Sequence, residues 1–425
     1  MAGKAAIIIL AAKPEPMESK SLLEKGKNYI KNSWVYTNVK YPVKNFLIRN
    51  RFLDKFIHPY KSIKANAGIV PPRRDQADDS LLIERLKKSY LISDANFDGN
   101  KVSVWSDIFQ QLHGDIHSAF INGDQDKIAD ILRNPGKYNL FYGFENLSRD
   151  LLNRKWLDYT MEPKLAMDAL VTLCEAVGVL KISNPETLKI VRTIDPERAI
   201  QLLDGAFGFN LSFPNPFEGE SGIQTKLGII NYRAVQAIYQ AWRISEIVKD
   251  IPGASVLEIG GGLGRTAYYC WCFGIHDYTI VDIPISSLAQ GDFLGRALSE
   301  KDLLLIGEST DQENYKSKIK LIHPKAFAES TRKYDLIVNV DSLTELDVSI
   351  AKDYLHKISQ KSKLFLSINH ENNRFTVNAI CKETGVLKPL YRVPYWVRKG
   401  YAEELFEATN ILSYTQTVQD DRILQ

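Results

Sequence analysis

A strand, a glycine-rich turn and a second strand that ends in an acid form the most constraining stretch of this sequence. Apart from Glu258, residues 256–259 are apolar with branched side chains, which is typical of a buried parallel strand. The backbone after this strand can turn sharply and approach a ligand closely, because it carries three alternating glycines, Gly260, Gly262 and Gly264. Asp282 follows Glu258 by 24 residues, about the distance at which a second strand brings a carboxylate to ribose hydroxyls. The pattern predicts a site for a nucleoside-containing cofactor.

The details of the glycine turn indicate which cofactor is bound. The dinucleotide fingerprint G-x-G-x-x-G fails, because Arg265 stands where the third glycine is required. Glu258 lies two residues before the first glycine. A carboxylate there is poorly placed beside a pyrophosphate, but it suits a cationic ligand such as the sulfonium and ammonium groups of S-adenosylmethionine. We therefore expect S-adenosylmethionine as the cofactor.

The stretch from Glu258 to Arg265 resembles motif I of the class I S-adenosylmethionine-dependent methyltransferases, and residues 279–282 resemble their second motif. The resemblance implies that the glycines line the methionine part of the cofactor, with Glu258 behind them and Asp282 on the ribose. Arg265 is expected to pair with the cofactor carboxylate, and an exposed arginine in the first helical turn is the alternative. The full set of predicted cofactor-binding residues is Glu258, Gly260, Gly261, Gly262, Gly264, Arg265, Asp282, Ile283 and Asn339.

Composition and charge argue against several classes of protein. The formal net charge is only +3, and no basic run is interleaved with aromatic residues, so we expect no nucleic-acid partner. The four cysteines have neither zinc-ligand spacing nor the density of a disulfide framework, which predicts a reducing compartment, the cytoplasm. No apolar stretch is long enough to cross a bilayer, so we expect no stable membrane insertion. The apolar run at 5–12 follows too little positive charge to predict export.

The chain is predicted to divide at residue 222. Helical periodicity dominates between about residues 78 and 205, for example over 80–86 and 163–180, with helix starts at Asn184-Pro185 and Asp195-Pro196. Residues 1–222 are therefore predicted to form a mainly helical region for substrate recognition or dimerisation. A homodimer is the oligomer that we consider. The first 75 residues show no interpretable pattern.

Residues 223–425 are predicted to form an α/β domain of the Rossmann-like class I methyltransferase type. Such a domain is doubly wound, with a mostly parallel sheet and an antiparallel closing strand. A long helix over 231–249 leads into the first strand. A helix is predicted over 286–298, and further strands are predicted at 303–306 or 319–323, at 334–340, at 363–368, and as a closing pair within 389–406.

Several segments narrow the resemblance to the bacterial sugar O-methyltransferase family over roughly residues 165–410. The segments that carry it are Ser221 to Gly228, Glu258 to Arg265, Val281 to Pro284, Asn339 to Glu345 and Ser367 to Glu371. The family implies methylation of a sugar hydroxyl, with a sugar or glycoconjugate substrate in surface polysaccharide or glycan biosynthesis. The alternatives are methylation of another small hydroxylated metabolite and a non-catalytic protein that only binds the cofactor.

Polar clusters at two predicted strand ends supply the catalytic candidates. A sugar hydroxyl is a poor nucleophile until a base or a metal takes or acidifies its proton. His370 is the preferred base, because it can act near neutral pH. Asp341, Glu345 and Glu371 are the competing carboxylates. They provide oxygen ligands for Mg²⁺ as an alternative, although no metal is expected. Near the end of the chain, four residues are candidates for contact with a sugar ring, namely Tyr391, Arg392, Tyr395 and Trp396.

Overall fold

The computed structural model of the chain describes residues 66–71, 79–97, 109–143, 155–182, 194–308 and 315–409. All of these residues belong to one compact unit. The predicted helix start at Asn184-Pro185 and the apolar run at 5–12 lie outside the described residues. The proposed division of the chain at residue 222 stays a prediction.

A small antiparallel sheet forms from segments that are far apart in the sequence. Its strands are β1 (Ala67–Ile69), β2 (Ser221–Thr225) and β3 (Gly228–Ile230), with β2 in the middle. Gly222 permits the close pairing of β2 with β3, because a Cβ there would lie 2.1 Å from the Ile230 carbonyl oxygen. Sequence analysis did not predict this sheet, since strands of three to five residues carry too little periodicity.

The main sheet has eight strands within the described part of the chain. They are β4 (Ser255–Ile259), β5 (Asp277–Val281), β6 (Leu303–Leu304), β7 (Ile319–Ile322), β8 (Tyr334–Val340), β9 (Ser362–His370), β10 (Leu387–Pro394) and β11 (Tyr401–Ala408). Their order across the sheet is β10-β11-β9-β8-β4-β5-β7-β6. Strands β4 to β9 pair in parallel, whereas β11 is antiparallel to both of its neighbours. The predicted mostly parallel sheet with an antiparallel closing strand is confirmed.

Eleven α-helices are described. They are α1 (Ser80–Ala95), α2 (Gly114–Asn122), α3 (Gln125–Arg133), α4 (Lys155–Val177), α5 (Pro196–Phe207), α6 (Tyr232–Val248), α7 (Arg265–Cys272), α8 (Pro284–Ala297), α9 (Pro324–Glu329), α10 (Val348–Lys361) and α11 (Val377–Thr384). Asp195 caps α5 and Asn231 caps α6 through their side-chain oxygens, which fixes both starts where the sequence places them. Helix α4 begins before Pro163 and continues through it, although an interior proline removes one helical hydrogen bond and crowds the preceding turn.

Helices cover both faces of the main sheet. On one face, Leu257 and Ile259 of β4 pack in a buried cluster with residues of α10 and α11, such as Leu355 and Ile380. Glu258 points to the opposite face because side chains alternate along a strand. This covering on two sides gives the doubly wound α/β architecture of a Rossmann-like domain.

Helix α1 packs against α8 on the main domain. A Cβ on Gly291 would lie 2.6 Å from Leu86 Cδ2, and one on Gly295 would lie 2.5 Å from Leu82 Cδ1. The side chain of Arg85 donates to Glu308 Oε1 at 2.7 Å across the same junction. These close contacts tie the helical segment to the α/β domain.

Candidate active site

A cavity opens at the carboxyl ends of β4, β5 and β8. This edge of an open parallel sheet is where ligands bind in doubly wound folds. The glycine turn forms its floor, and part of α6 and the segment between β10 and β11 contribute further walls. Of the predicted site residues, those that line the cavity are Glu258, Gly260, Gly261, Gly262, Arg265, Asp282, Ile283, Asp341 and Glu345.

The glycine turn depends on backbone angles that L-residues with a Cβ rarely adopt. Gly260 has φ of +74° and Gly262 has φ of +55°. A Cβ on Gly260 would also lie 2.2 Å from Ser342 Oγ, so the turn packs directly against the loop that follows β8. Gly264, which precedes the first residue of α7, has φ of +85° and does not line the cavity. The turn therefore brings backbone to the cavity surface without side chains.

Glu258 is a buried acid without a cation. Its side chain is 1% exposed, and its Oε2 accepts a hydrogen bond from Tyr278 Oη at 3.0 Å. No lysine or arginine among the described residues lies within ion-pair distance of it. Burial raises the pKa of Glu258 to about 8, and the nearby Asp282 raises it further, while the Tyr278 hydroxyl opposes the shift. The cavity thus holds a carboxyl that would ionise beside a positive ligand.

Asp282 holds the glycine turn from the end of β5. Its Oδ2 accepts from the Gly261 backbone N–H at 3.0 Å and from Gln290 Nε2 at 2.6 Å. Gln290 also donates to the Gly262 carbonyl at 3.1 Å, which clamps the turn a second time. Burial raises the pKa of Asp282 to about 6, although the Ile283 N–H, Gln290 and Gly261 N–H hydrogen bonds lower it.

Asp341 follows β8 with a left-handed backbone, φ +55°, which is uncommon for a residue with a side chain. Its Oδ2 accepts from Tyr401 Oη at 2.8 Å and from Arg398 Nη1 at 3.1 Å. Its Oδ1 lies 3.6 Å from His370 Nε2 and is buried without a hydrogen-bond partner among the described groups. One oxygen of this carboxylate is therefore held by the protein, and the other is available beside the histidine.

His370 and Asn369 belong to β9 and do not follow it, which corrects the predicted end of that strand at residue 368. The strand is longer because β11 pairs with it, with Tyr401 opposite His370. His370 does not line the cavity. Its Nδ1 accepts from the Asn372 backbone N–H at 3.3 Å, so the ring stands behind Asp341 with Nε2 toward the carboxylate.

The remaining candidates are spread over different environments. Glu371 lines a separate surface depression, where it pairs with Arg392 at 2.7 Å. Asn339 is fully buried, donates to the Ile259 carbonyl at 2.9 Å and supports the site from below. The three carboxylates considered for Mg²⁺ are thus not brought to one place. Within the described ranges, no group of three or more His, Cys, Asp or Glu side chains is arranged to hold a metal ion.

Arg265 lies under the cavity wall in a buried ion pair. Its Nη2 donates to Glu220 Oε2 at 2.9 Å, and both side chains are at most 5% exposed. The guanidinium also sits 4.8 Å from the centre of the Phe293 ring. The alternative of an exposed arginine is wrong, because the chain from β2 brings Glu220 onto it. A role of Arg265 in cofactor binding stays a prediction.

Other cavity residues were not predicted. Helix α6 places three polar side chains on the cavity at a spacing of three and four residues, Arg233, Gln236 and Gln240. Their spacing on a predicted helix was the sequence signal that could have identified them as residues of one helical face. Arg398 and Tyr401 come from the closing strand pair, where nothing local in the sequence marks them. Of the four residues considered for sugar contact, only Tyr395 lines the cavity.

No protein-family model and no curated protein matches the sequence. Solved structures that align with part of it include a glycopeptide N-methyltransferase, at 12% identity, 40% of this chain, 90% of that chain and a TM-score of 0.31. Another is magnesium protoporphyrin IX methyltransferase from Synechocystis PCC 6803 with bound S-adenosylmethionine. It is 12% identical, the alignment covers 44% of this chain and 84% of that chain, and the TM-score is 0.30. A third is ribosomal protein L11 methylase from Lactobacillus delbrueckii subsp. bulgaricus, with 14% identity, coverage of 41% of this chain and 77% of that chain, and a TM-score of 0.29. Scores of this size assign neither family nor function.

Among the helices of the described ranges, none combines the length and the apolar content that crossing a bilayer requires. The four cysteines, Cys174, Cys270, Cys272 and Cys381, are all unpaired thiols.

Proposed function

We propose that this chain is an S-adenosylmethionine-dependent O-methyltransferase that acts on a sugar hydroxyl, in surface polysaccharide or glycan biosynthesis in the cytoplasm. The observation that carries the proposal is the pair of unlike carboxyl groups in one cavity. Glu258 is buried without a cation under the glycine turn, and Asp341, which lines the same cavity, has a buried oxygen without a hydrogen-bond partner among the described groups. The first suits a cationic cofactor and the second suits a hydroxyl that must lose its proton.

The cofactor would lie along the carboxyl edge of β5 and β4. In this proposal Asp282, which follows β5, binds the ribose, and Glu258 on β4 binds the ammonium group. The glycine turn between them offers backbone without side chains for close approach. Bound S-adenosylmethionine supplies an electrophilic methyl group at its sulfonium.

Asp341 is proposed to take the proton from the acceptor hydroxyl through its Oδ1. Tyr401 and Arg398 hold the other oxygen, which restrains rotation of the carboxylate. His370 Nε2 lies 3.6 Å from Oδ1, and it carries the hydrogen of the neutral ring because Nδ1 accepts from Asn372. His370 is therefore proposed to stabilise the ionised carboxylate, and the proton that Asp341 takes would then pass to solvent. In this proposal Asp341 replaces His370 as the base, and His370 lies behind Asp341, since His370 does not line the cavity. Glu345 remains a second carboxylate in the cavity, whereas Glu371 is left out of the reaction.

The sugar acceptor rests on the family resemblance of the motifs after β8 and β9, and the cavity has an aromatic wall at Tyr395 and Tyr401 that suits a sugar ring. The helical region before α6 stays a proposal for acceptor recognition or for a homodimer.

The test measures binding of S-adenosylhomocysteine by calorimetry, and formation of S-adenosylhomocysteine from S-adenosylmethionine with a panel of sugars and nucleotide sugars. Asp341→Asn keeps the size of the side chain and tolerates the left-handed backbone. We expect it to lower turnover by about 10²–10⁴-fold while cofactor affinity stays nearly constant. The matched control is Glu371→Gln, which removes a carboxylate outside the cavity and should leave turnover unchanged. Wild-type protein that binds no S-adenosylhomocysteine would refute the proposed function, and full activity of Asp341→Asn would refute the base.

A further inference from the structure

Gln236 has a buried amide that lacks a partner. Its side chain lies on α6, lines the cavity and is 4% exposed. The Nε2 atom has no hydrogen-bond acceptor among the described groups, while Oε1 accepts from Arg233 Nη1 at 3.4 Å. A buried N–H donor without an acceptor is unfavourable, because the group has lost its water. The amide therefore points to a ligand oxygen in the cavity.

Arg233 stands one helical turn before Gln236 and also lines the cavity. Three arginines line it in total, and two of them already face carboxylates. Arg265 pairs with Glu220 and Arg398 pairs with Asp341. Arg233 has no carboxylate within ion-pair distance in the described part of the chain, where its side chain donates a hydrogen bond to Gln236. It is thus the cavity arginine that is available for an anion.

The same helical face leads to the glycine turn. Gln240, one turn after Gln236, accepts a hydrogen bond from Thr266 Oγ1 at 2.6 Å. Thr266 belongs to α7, the helix that begins directly after the turn. Helix α6 is therefore hydrogen-bonded to the helix that follows the glycine turn, and it lines the cavity through Arg233, Gln236 and Gln240.

We propose that Arg233 and Gln236 bind the carboxylate of the cofactor's methionine moiety. This inference rests on the proposed function. The amino-acid end of S-adenosylmethionine is a zwitterion, so its site needs an acid for the ammonium and donors for the carboxylate. Glu258 meets the first need, and the guanidinium with the adjacent amide N–H meets the second. This assigns to Arg233 the part that the sequence suggested for Arg265, whose guanidinium is held by Glu220.

The experiment compares two ligands in the absence of any acceptor. S-adenosylhomocysteine carries the amino-acid end, and 5′-methylthioadenosine has the nucleoside and the sulfur without it. By calorimetry, Arg233→Gln should weaken S-adenosylhomocysteine about 10- to 100-fold, as expected for one charged hydrogen-bonded contact. Its affinity for 5′-methylthioadenosine should stay unchanged. Arg233→Lys should recover part of the loss, because it keeps the charge but not the planar fork. Gln236→Glu should also weaken only S-adenosylhomocysteine, by repulsion.

The matched control is Lys249→Gln, which removes one positive charge at the end of the same helix, outside the cavity. It should change neither affinity. Equal loss of both ligands in Arg233→Gln would show that Arg233 only supports the fold of the site. Unchanged S-adenosylhomocysteine binding in Arg233→Gln would overturn the inference and leave the proposed function intact. Wild-type protein that binds neither ligand would overturn both.

Discussion

Two buried glutamates on the main sheet differ in their hydrogen-bond and ion-pair partners. Glu258 on β4 is 1% exposed and Glu403 on β11 is 0% exposed. Glu403 accepts hydrogen bonds from Arg243 Nε at 2.8 Å, from Tyr239 Oη at 2.7 Å and from Tyr391 Oη at 2.8 Å. Glu258 has Tyr278 Oη alone at 3.0 Å. Both side chains are out of water, but only one of them has a cation.

The difference indicates that Glu403 has a structural role, whereas Glu258 is proposed to bind a ligand. A buried charge is tolerated when it is paired and fully hydrogen-bonded, and otherwise the group becomes neutral. Glu403 ties α6 to the closing strands, so its partners belong to the fold. The pKa of Glu258 rises to about 8 through burial, so the carboxyl is mostly protonated at neutral pH in the empty cavity. Under the proposed function, the ammonium of the cofactor is the cation that pairs with Glu258.

The largest expected effect is on the free energy of unfolding of Glu403→Gln. This substitution leaves the Arg243 guanidinium without its carboxylate, which should destabilise the protein by about 3–5 kcal/mol in urea denaturation. Glu407→Gln is the control on the same strand, because Glu407 pairs only with the exposed side chains of Lys363 and Lys388. It should cost about 1 kcal/mol or less. If Glu403→Gln lowers the free energy of unfolding no more than Glu407→Gln does, Glu403 does not have the structural role that distinguishes it from Glu258.

A smaller effect is expected on the pH dependence of stability through Glu258. Its folded pKa of about 8 lies above its unfolded value of 4.5, so the native state binds more protons between these values. The free energy of unfolding should therefore fall as pH rises, by about 2 kcal/mol between pH 6 and 8. Asp282 contributes only about 0.4 kcal/mol in the same direction over this window, because with a pKa of about 6 it is already half ionised at pH 6.

The control for this prediction is Glu258→Gln, measured by urea denaturation over the same pH range without cofactor. The amide cannot ionise, so the variant should lose this part of the pH dependence and become more stable than wild type at pH 8. Parallel pH profiles of the two proteins would mean that Glu258 is already ionised in the empty cavity and that it has a partner like that of Glu403.

The sequence predicted the part of the site that lies within one β-turn-α-β unit. Glu258, the glycines and Asp282 lie close together in the sequence. The structure has the predicted strands before the glycine turn and before Asp282, namely β4 and β5. The antiparallel closing pair was also predicted and is confirmed. These features follow from short-range pattern, because each strand carries its own periodicity and turn residues.

The rest of the site depends on contacts between distant segments. Tyr401 and Arg398 reach Asp341 only because β11 pairs with β9 in a register that puts Tyr401 opposite His370. Glu220 reaches Arg265 across 45 positions of sequence. No local pattern reports such pairings. The positive φ of Asp341 is likewise set by its surroundings, since an aspartate by itself does not require it.

The smallest expected effect, and the one that most sharpens the comparison, is proton release on cofactor binding. The ammonium of the bound cofactor should stabilise the ionised form of Glu258, in the same way that the Arg243 guanidinium pairs with the Glu403 carboxylate. Affinity for S-adenosylhomocysteine should then rise from pH 6 to pH 7 by up to about tenfold, or about 1.4 kcal/mol, because each binding event must release a proton from Glu258. Calorimetry in buffers of different ionisation enthalpy counts these protons directly, and Glu258→Gln should release none from this site. Binding of the wild-type protein with no proton release would mean that Glu258 stays neutral in the complex and that the ammonium is held elsewhere in the cavity.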